Sequence, residues 1–254
     1  MRLHQLRNAT MIIEYSGLRI LIDPMFAGVN NEKNATNINE VCPIHEIPVP
    51  PKDVIKNIDA VIITHLHPDH FDKCAQDILP KDTKIFVQDM FDKNALEKEH
   101  FKNIEILDSE GTEFDGIKLF KTKCRHGVRA NVEHVFLASG MRWEAMGVVF
   151  NGTNEPTVYL AGDTLWFDGV KEAIDTYKPK YIVLNTSASK IYNEPILMGI
   201  EDIKLVHEYY PDGKLLASHM DCVSNSTLSR ADLRKSEVNN YIYSPADGEI
   251  MTLV

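Results

Sequence analysis

Short apolar runs rich in β-branched residues recur along the chain and stop at turn-forming or ligand-type residues. RILIDP stops at Asp23, AVIITH at His65, TKIFVQD near Asp89, TVYLAGD at Asp163, KYIVLN at Asn185 and KLLASH at His219. Runs of this length and composition predict buried strands. Between them, KNALEKEHF, GVKEAIDTYK and IEDIKLVHEYY have helical character. MIIEYSGLRILID predicts a hairpin across Ser16-Gly17, and SEGTEFDGIKLFKTKC a second across Asp115-Gly116. Strands thus arrive in two groups, each with helices, which predicts a mixed α/β (α+β) chain of two sheets packed face to face with helices outside. The strand ends carrying His65, Asp163 and His219 would then converge at one edge of the sandwich.

Composition narrows this picture. The 254 residues, 44% of them hydrophobic, are enough to bury a large core. With no Pro/Gly/Ser-rich linker and no abrupt shift in composition, residues 1–254 are expected to form a single domain. A net charge of -10 argues against a broad nucleic-acid footprint. Cys42, Cys74, Cys124 and Cys222 form no CxxC pair, so neither a disulfide framework nor a zinc ribbon is suggested, and a reducing compartment is expected. Glu14, Arg19 and Asp23 interrupt the N-terminus before any apolar run reaches signal-peptide or membrane-spanning length. A cytoplasmic protein acting on a small soluble molecule is the expectation, with no membrane or nucleic-acid partner; nothing in the chain sets an oligomeric state. Segments 27–50 and 127–147 lack clear periodicity and are expected to be irregular walls or lids of a site.

The chemistry concentrates in THLHPDH, residues 64–70. The preceding strand leads into it, and Pro68 denies it a regular ladder or an unbroken helix, so the four ligand-type residues lie on a tight loop. Residues two apart on such a loop can face the same way, letting His65 and His67 share one cation while Asp69 and His70 turn toward a second. A lone histidine in apolar surroundings would be read as a hydrogen-bonded core residue; four ligands within six positions are read as a chelate. Imidazole with carboxylate suits zinc, manganese, iron or cobalt.

This HxHxDH pattern resembles the signature of the metallo-β-lactamase superfamily. The rest of that pattern follows in order: Asp23 in ILIDP, His126 in CRHG, Asp163 in LAGDT and His219 in ASHMD. The resemblance implies an αββα four-layer sandwich with two divalent metal ions at the shared edge of the sheets, Zn2+ first and Mn2+ or Fe2+ as alternatives. It assigns His65, His67 and His126 to one metal, Asp69, His70 and His219 to the other, and Asp163 as the bridge. Within the superfamily, the length and the early LRILIDP look most like the branch that includes ascorbate-6-phosphate lactonase.

The activity so implied is hydrolysis of an ester or lactone by a hydroxide held between two metals, with Asp69 passing its proton and Asp23 bracing the THLHPDH loop. A phosphodiesterase and a non-catalytic, regulatory metal-binding protein are the competing readings. Cys124 is rejected as a ligand because on an extended strand it sits about 6.5 Å from His126 along the chain. In strand alternation Lys121, Lys123 and Arg125 face away from Thr122, Cys124 and His126, which leaves Arg129, beyond the turn, as the residue to meet an anionic substrate. His134 is a further candidate for substrate contact. His207 falls on the apolar stripe of its helix and is expected to be structural.

Overall fold

In a computed structural model, residues 1–29, 32–33, 41–224 and 226–254 are described. Alternate residues of each strand point to opposite faces, and the chain exploits this twice. Met11, Ile13 and Tyr15 enter the space between two sheets, as do Ile20, Ile22, Ile62 and Phe86, where they meet Leu119, Val148, Phe150, Val158, Leu160 and Val183. The residues between them face outward. Ile12, Leu21, Val61, Ile63 and Ile85 pack under the helices of the first half. Val149, Tyr159, Ile182, Leu184 and Leu215 do the same in the second. Both faces of both sheets are therefore apolar, which produces the expected αββα metallo-β-lactamase fold.

The first seven-stranded sheet runs in the order Ile250–Thr252, Arg2–Arg7, Thr10–Tyr15, Leu18–Ile22, Ala60–Ile62, Lys84–Val87, Asn103–Ile106. The second runs Ile242–Tyr243, Lys214–Ser218, Tyr181–Asn185, Val158–Leu160, Met146–Gly152, Ile117–Lys123, Thr112–Phe114. Each joins an antiparallel part to a parallel part. Both expected hairpins form: Ser16 and Gly17 (φ 52° and 84°), like Asp115 and Gly116 (43° and 86°), adopt the paired left-handed conformation of a tight two-residue turn.

Parallel strands end together, and ligands of α/β sheets gather at such carboxyl ends. Leu18–Ile22 and Ala60–Ile62 deliver Asp23 and the THLHPDH loop; Val158–Leu160, Tyr181–Asn185 and Lys214–Ser218 deliver Asp163, Asn185 and His219. Ile117–Lys123 lies one antiparallel neighbour beyond Val158–Leu160, so it runs the same way and brings His126 to that edge.

One expectation is corrected. Segment 127–147 is irregular only at 127–128 and 139–145: Arg129–Ala138 is a helix, with Val132 and Phe136 buried one turn apart, an Arg129–Glu133 ion pair on its outer face, and Gly140 (φ 74°) just past its end. Its stripe is too narrow for a clear helical period, which hid it. Of segment 27–50, residues 30–31 and 34–40 lie outside the described residues. Its flanks are stitched down by buried Arg7, which donates to the carbonyls of Met25 and Ala27 at 2.9 Å and of His45 at 2.8 Å.

Candidate metal centre

The loop is built on Asp23. One carboxylate oxygen accepts the Thr64 backbone N–H at 2.7 Å; the other accepts the Thr64 hydroxyl and His70 Nδ1, both at 2.8 Å. Asp23 itself sits in the left-handed region (φ 44°), as does His219 (φ 62°). Such backbone costs about 1 kcal/mol and persists where surrounding bonds fix it. Here Thr10 holds the Asp23 carbonyl at 2.6 Å, and the His219 N–H donates to the Asn8 carbonyl at 3.1 Å. Gly162, before Asp163, has φ 70°, and a Cβ there would stand 2.4 Å from the Met146 carbonyl, so no other residue fits.

Hydrogen bonds fix the direction of each ring. A carbonyl only accepts, so His126 donates from Nδ1 to Ile196 O at 3.0 Å and keeps a lone pair on Nε2. His70 donates from Nδ1 to Asp23 and also keeps Nε2. The Thr64 hydroxyl spends its hydrogen on Asp23, so it accepts from His65 Nδ1 at 3.1 Å; His65 Nε2 is then a buried lone pair without a partner. His67 is turned the other way, donating from Nε2 to Arg142 O at 2.5 Å and leaving Nδ1 to face inward.

These atoms converge as three overlapping groups, His65/His67/His126, His65/His70/Asp163 and Asp69/His70/His219, each with ligand atoms within 4.8 Å of one another. Asp163 Oδ2 sits amid them, 3.3 Å from His70 Nε2, 3.6 Å from His126 Nε2 and 3.8 Å from the Nε2 atoms of His65 and His219. Asn185 holds the other oxygen, Oδ1, at 2.7 Å. His70 Nε2 faces His219 Nε2 at 3.1 Å, an approach of two ring nitrogens that needs a proton or a cation between them. A buried, unpartnered lone pair is costly unless something outside the protein takes it. The residues present fit divalent cations.

Charge divides the cluster. Burial lowers His65 well below its ordinary pKa, with His70 and His67 adding to it; burial and His126 push His67 down to about 4; burial lowers His126 against the pull of Asp163. These rings are neutral, as metal ligands must be. Burial also opposes charge on His70 and His219, but Asp163 with Asp69, and for His70 also Asp23, outweighs it and raises both. Asp163 and Asp69 are held below the usual carboxylate range against burial, chiefly by His70 and His219.

All seven sequence-derived ligand positions thus meet at one edge, with Asp23 behind them. The two residues offered for substrate contact do not join them. Arg129 is exposed, pairs with Glu133 at 2.8 Å and stacks over Trp143 at 5.0 Å; His134 is exposed on the helix face opposite Phe136, the residue that packs on His67 and His126. Lys123 pairs with Glu172 and Arg125 lies over Phe167, away from the cluster, while the Cys124 thiol donates to Ala161 O at 3.1 Å. His207 stacks flat on Tyr241 at 4.1 Å, in keeping with its structural reading.

Sequence reasoning missed Asn8, Thr64, Asn185 and Arg142. Asn8 is a buried left-handed turn residue whose amide donates to Asp69 O at 3.0 Å, and a polar residue at a hairpin tip was its available signal. Asn185 was visible as a polar strand end. The Arg142 contact is made by its backbone carbonyl, which leaves no mark in sequence.

A family model described as "Beta-lactamase superfamily domain" matches residues 18–220. The chain is similar to UPF0173 protein YddR of Bacillus subtilis (strain 168), 36% identical and covering 99% of this chain and 100% of that protein. Among solved structures it resembles an isothiocyanate hydrolase from Delia radicum gut bacteria, 36% identical with a TM-score of 0.89 over 99% of both chains. It also resembles a possible metal-dependent hydrolase from Veillonella parvula DSM 2008, 34% identical with a TM-score of 0.93, covering 100% of this chain and 99% of that one.

Proposed function

The chain belongs to the metallo-β-lactamase superfamily and, within it, to the UPF0173 metal-dependent hydrolase family, and from that premise we propose a hydrolase with a two-cation centre. His65, His67 and His126 would hold one cation, Asp69, His70 and His219 the other, with Asp163 shared. The observation that carries this reading is Asp163 Oδ2, within 3.8 Å of ring nitrogens from both groups while its partner oxygen is committed to Asn185. Divalent cations bound there would polarise a substrate and bring the pKa of a water to near 7.

The chain's own side chains orient and move protons. Asp69 is the ligand with access to solvent, its side chain 19% exposed against 3% or less for His70, His126, Asp163 and His219. It would take a proton from the attacking water and deliver it to the leaving group. Asn8 fixes its backbone and His219 its Oδ2 at 3.0 Å. Asp23 keeps His70 and Thr64 in register, so the loop does not reorganise during attack.

Beside the neutral rings the wall is apolar: Phe136 stacks within 4.9 Å of His67 and 5.1 Å of His126, backed by Val132, Ile196 and Leu197. Such a wall supports small, uncharged carbon electrophiles. The likeness to an isothiocyanate hydrolase supports isothiocyanates, whose central carbon would take water's oxygen and release an amine and carbonyl sulfide. Ester and lactone carbons, the expectation from sequence, are the second reading, because the same attack serves them; a lactonase-like specificity belongs to that reading. A phosphodiester is less well served, since Arg129 is already committed to Glu133. Residues 1–254 would act as one catalytic unit. Four widely spaced cysteines with no CxxC pair support a reducing, cytoplasmic setting, and among the described residues no helix is long and apolar enough to cross a membrane.

The test is turnover of aryl and alkyl isothiocyanates, p-nitrophenyl esters and lactones, before and after chelation. Chelator-sensitive turnover of at least one class is expected. Turnover that survives complete metal removal, or none by metal-loaded protein on any class, would overturn the proposal.

A further inference from the structure

Arg142 belongs to no ligand group, yet its carbonyl takes the His67 Nε2 hydrogen. Its side chain engages three carboxylates at once. Nη1 meets Asp89 at 2.9 and 3.1 Å and Asp92 Oδ1 at 3.3 Å, while Nε meets Glu144 Oε2 at 3.1 Å. The ring of Phe91 lies 4.5 Å from the guanidinium carbon. Gln88 closes the group, donating to Asp92 Oδ2 at 2.8 Å and to the Glu144 carbonyl at 3.1 Å.

An isolated exposed ion pair does little for a fold. This cluster differs: Asp92 is 1% exposed, and a planar guanidinium shared among three carboxylates and a ring is fixed in direction, which a single pair is not. Asp89 caps the helix Met90–Lys98, accepting from the N–H groups of Phe91 and Asp92, so the clamp ties the 139–145 segment to the first sheet's outer layer. The peptide so anchored is the one aimed at His67.

We propose that Arg142, held by Asp89, Asp92 and Glu144, is a positioning residue that locks His67 as its Nε2–H tautomer and thereby aims Nδ1 at His65 and His126. A neutral imidazole has one lone pair, and the other tautomer would put a hydrogen where the lone pair is needed. The proposal rests on the reading that His65, His67 and His126 hold a cation.

Two measurements on the full-length protein separate the parts. Nitrogen-15 NMR of the metal-free protein reads the ring: wild type should show His67 as the Nε2–H tautomer, and Arg142→Ala should move population to the Nδ1–H form. Co2+ titration reads the consequence: Arg142→Ala should weaken binding about 10- to 100-fold and alter the visible Co2+ spectrum, with partial recovery in Arg142→Lys. Should Arg142→Ala fail to fold, Glu144→Ala, at a part-exposed position, should change both readouts in the same direction by a smaller factor. A tautomer shift in a protein that binds no Co2+ would uphold the clamp and overturn the cation reading. Folded Arg142→Ala or Glu144→Ala protein with wild-type tautomer, affinity and spectrum would overturn the clamp.

Discussion

The two ends of the centre differ in charge and in how they are held. His65, His67 and His126 form an all-imidazole end, driven neutral by burial and braced by carbonyls and a hydroxyl: Arg142 O, Ile196 O and Thr64 Oγ1. Asp69, His70 and His219 form a mixed end in which carboxylates raise both rings and Asp23 braces His70. The difference teaches how one cluster would serve two tasks. In the proposed hydrolase the neutral end would offer lone pairs to a cation without prior loss of a proton, while the carboxylate end, with Asp69 partly open to solvent, would move protons.

The comparison breaks first at Asp163, the residue common to both ends. Asp163→Ala should lower metal content at both ends and cut hydrolysis by at least about 100-fold; two metals per chain in that variant, by elemental analysis, would remove the bridging role. Next, His126→Ala and His219→Ala should each lose one cation, from opposite ends. Equal loss of both cations in either variant would show that the ends do not bind separately. Asp23→Asn, which keeps shape but weakens the His70 brace, should cost about 10- to 100-fold in affinity at the carboxylate end, seen by competitive Co2+ titration. The smallest effect belongs to His134→Ala, on the exposed helix face, where turnover should stay within a factor of about 2.

Acid sharpens the same contrast. In metal-free protein, His65, His67 and His126 take up protons more readily unfolded than folded, so their stability contribution falls as pH drops below about 6.5, continuing to about 4 for His67. His70 and His219 have raised folded values and act oppositely, adding stability below about 6.5 that is lost as pH rises through those values. Asp69 and Asp163, depressed in the fold, withdraw their contribution only below about 3.8. Denaturant midpoints across pH should therefore fall less steeply below pH 6.5 in His67→Gln than in wild type, whereas His219→Gln should lose part of the decline that wild type shows as pH rises above 6.5. Parallel profiles for the two variants would erase the distinction.

Legibility in the sequence follows the same division. THLHPDH announces itself because its ligands are neighbours on one loop, and the two-residue alternation of its flanking strand carries through to the buried faces of Val61 and Ile62. His126, Asp163 and His219 each close a different strand of the second sheet and are ordinary alone; only their order made them readable. Ring orientation was not readable, because it is set by carbonyls of Arg142 and Ile196 that tertiary packing delivers. The helix Arg129–Ala138 escaped for a related reason: it buries a stripe only two side chains wide, Val132 among Ile191, Ile196 and Leu197, and Phe136 against His67 and His126.

The most direct test of the two-ended centre is elemental analysis of the purified protein, with hydrolysis of the isothiocyanate and ester panel followed through stepwise chelation. The account predicts about two divalent cations per chain, turnover that disappears as they are removed, and recovery on their return. A protein that retains no metal after reconstitution, or that hydrolyses its substrate equally well without any, would contradict it.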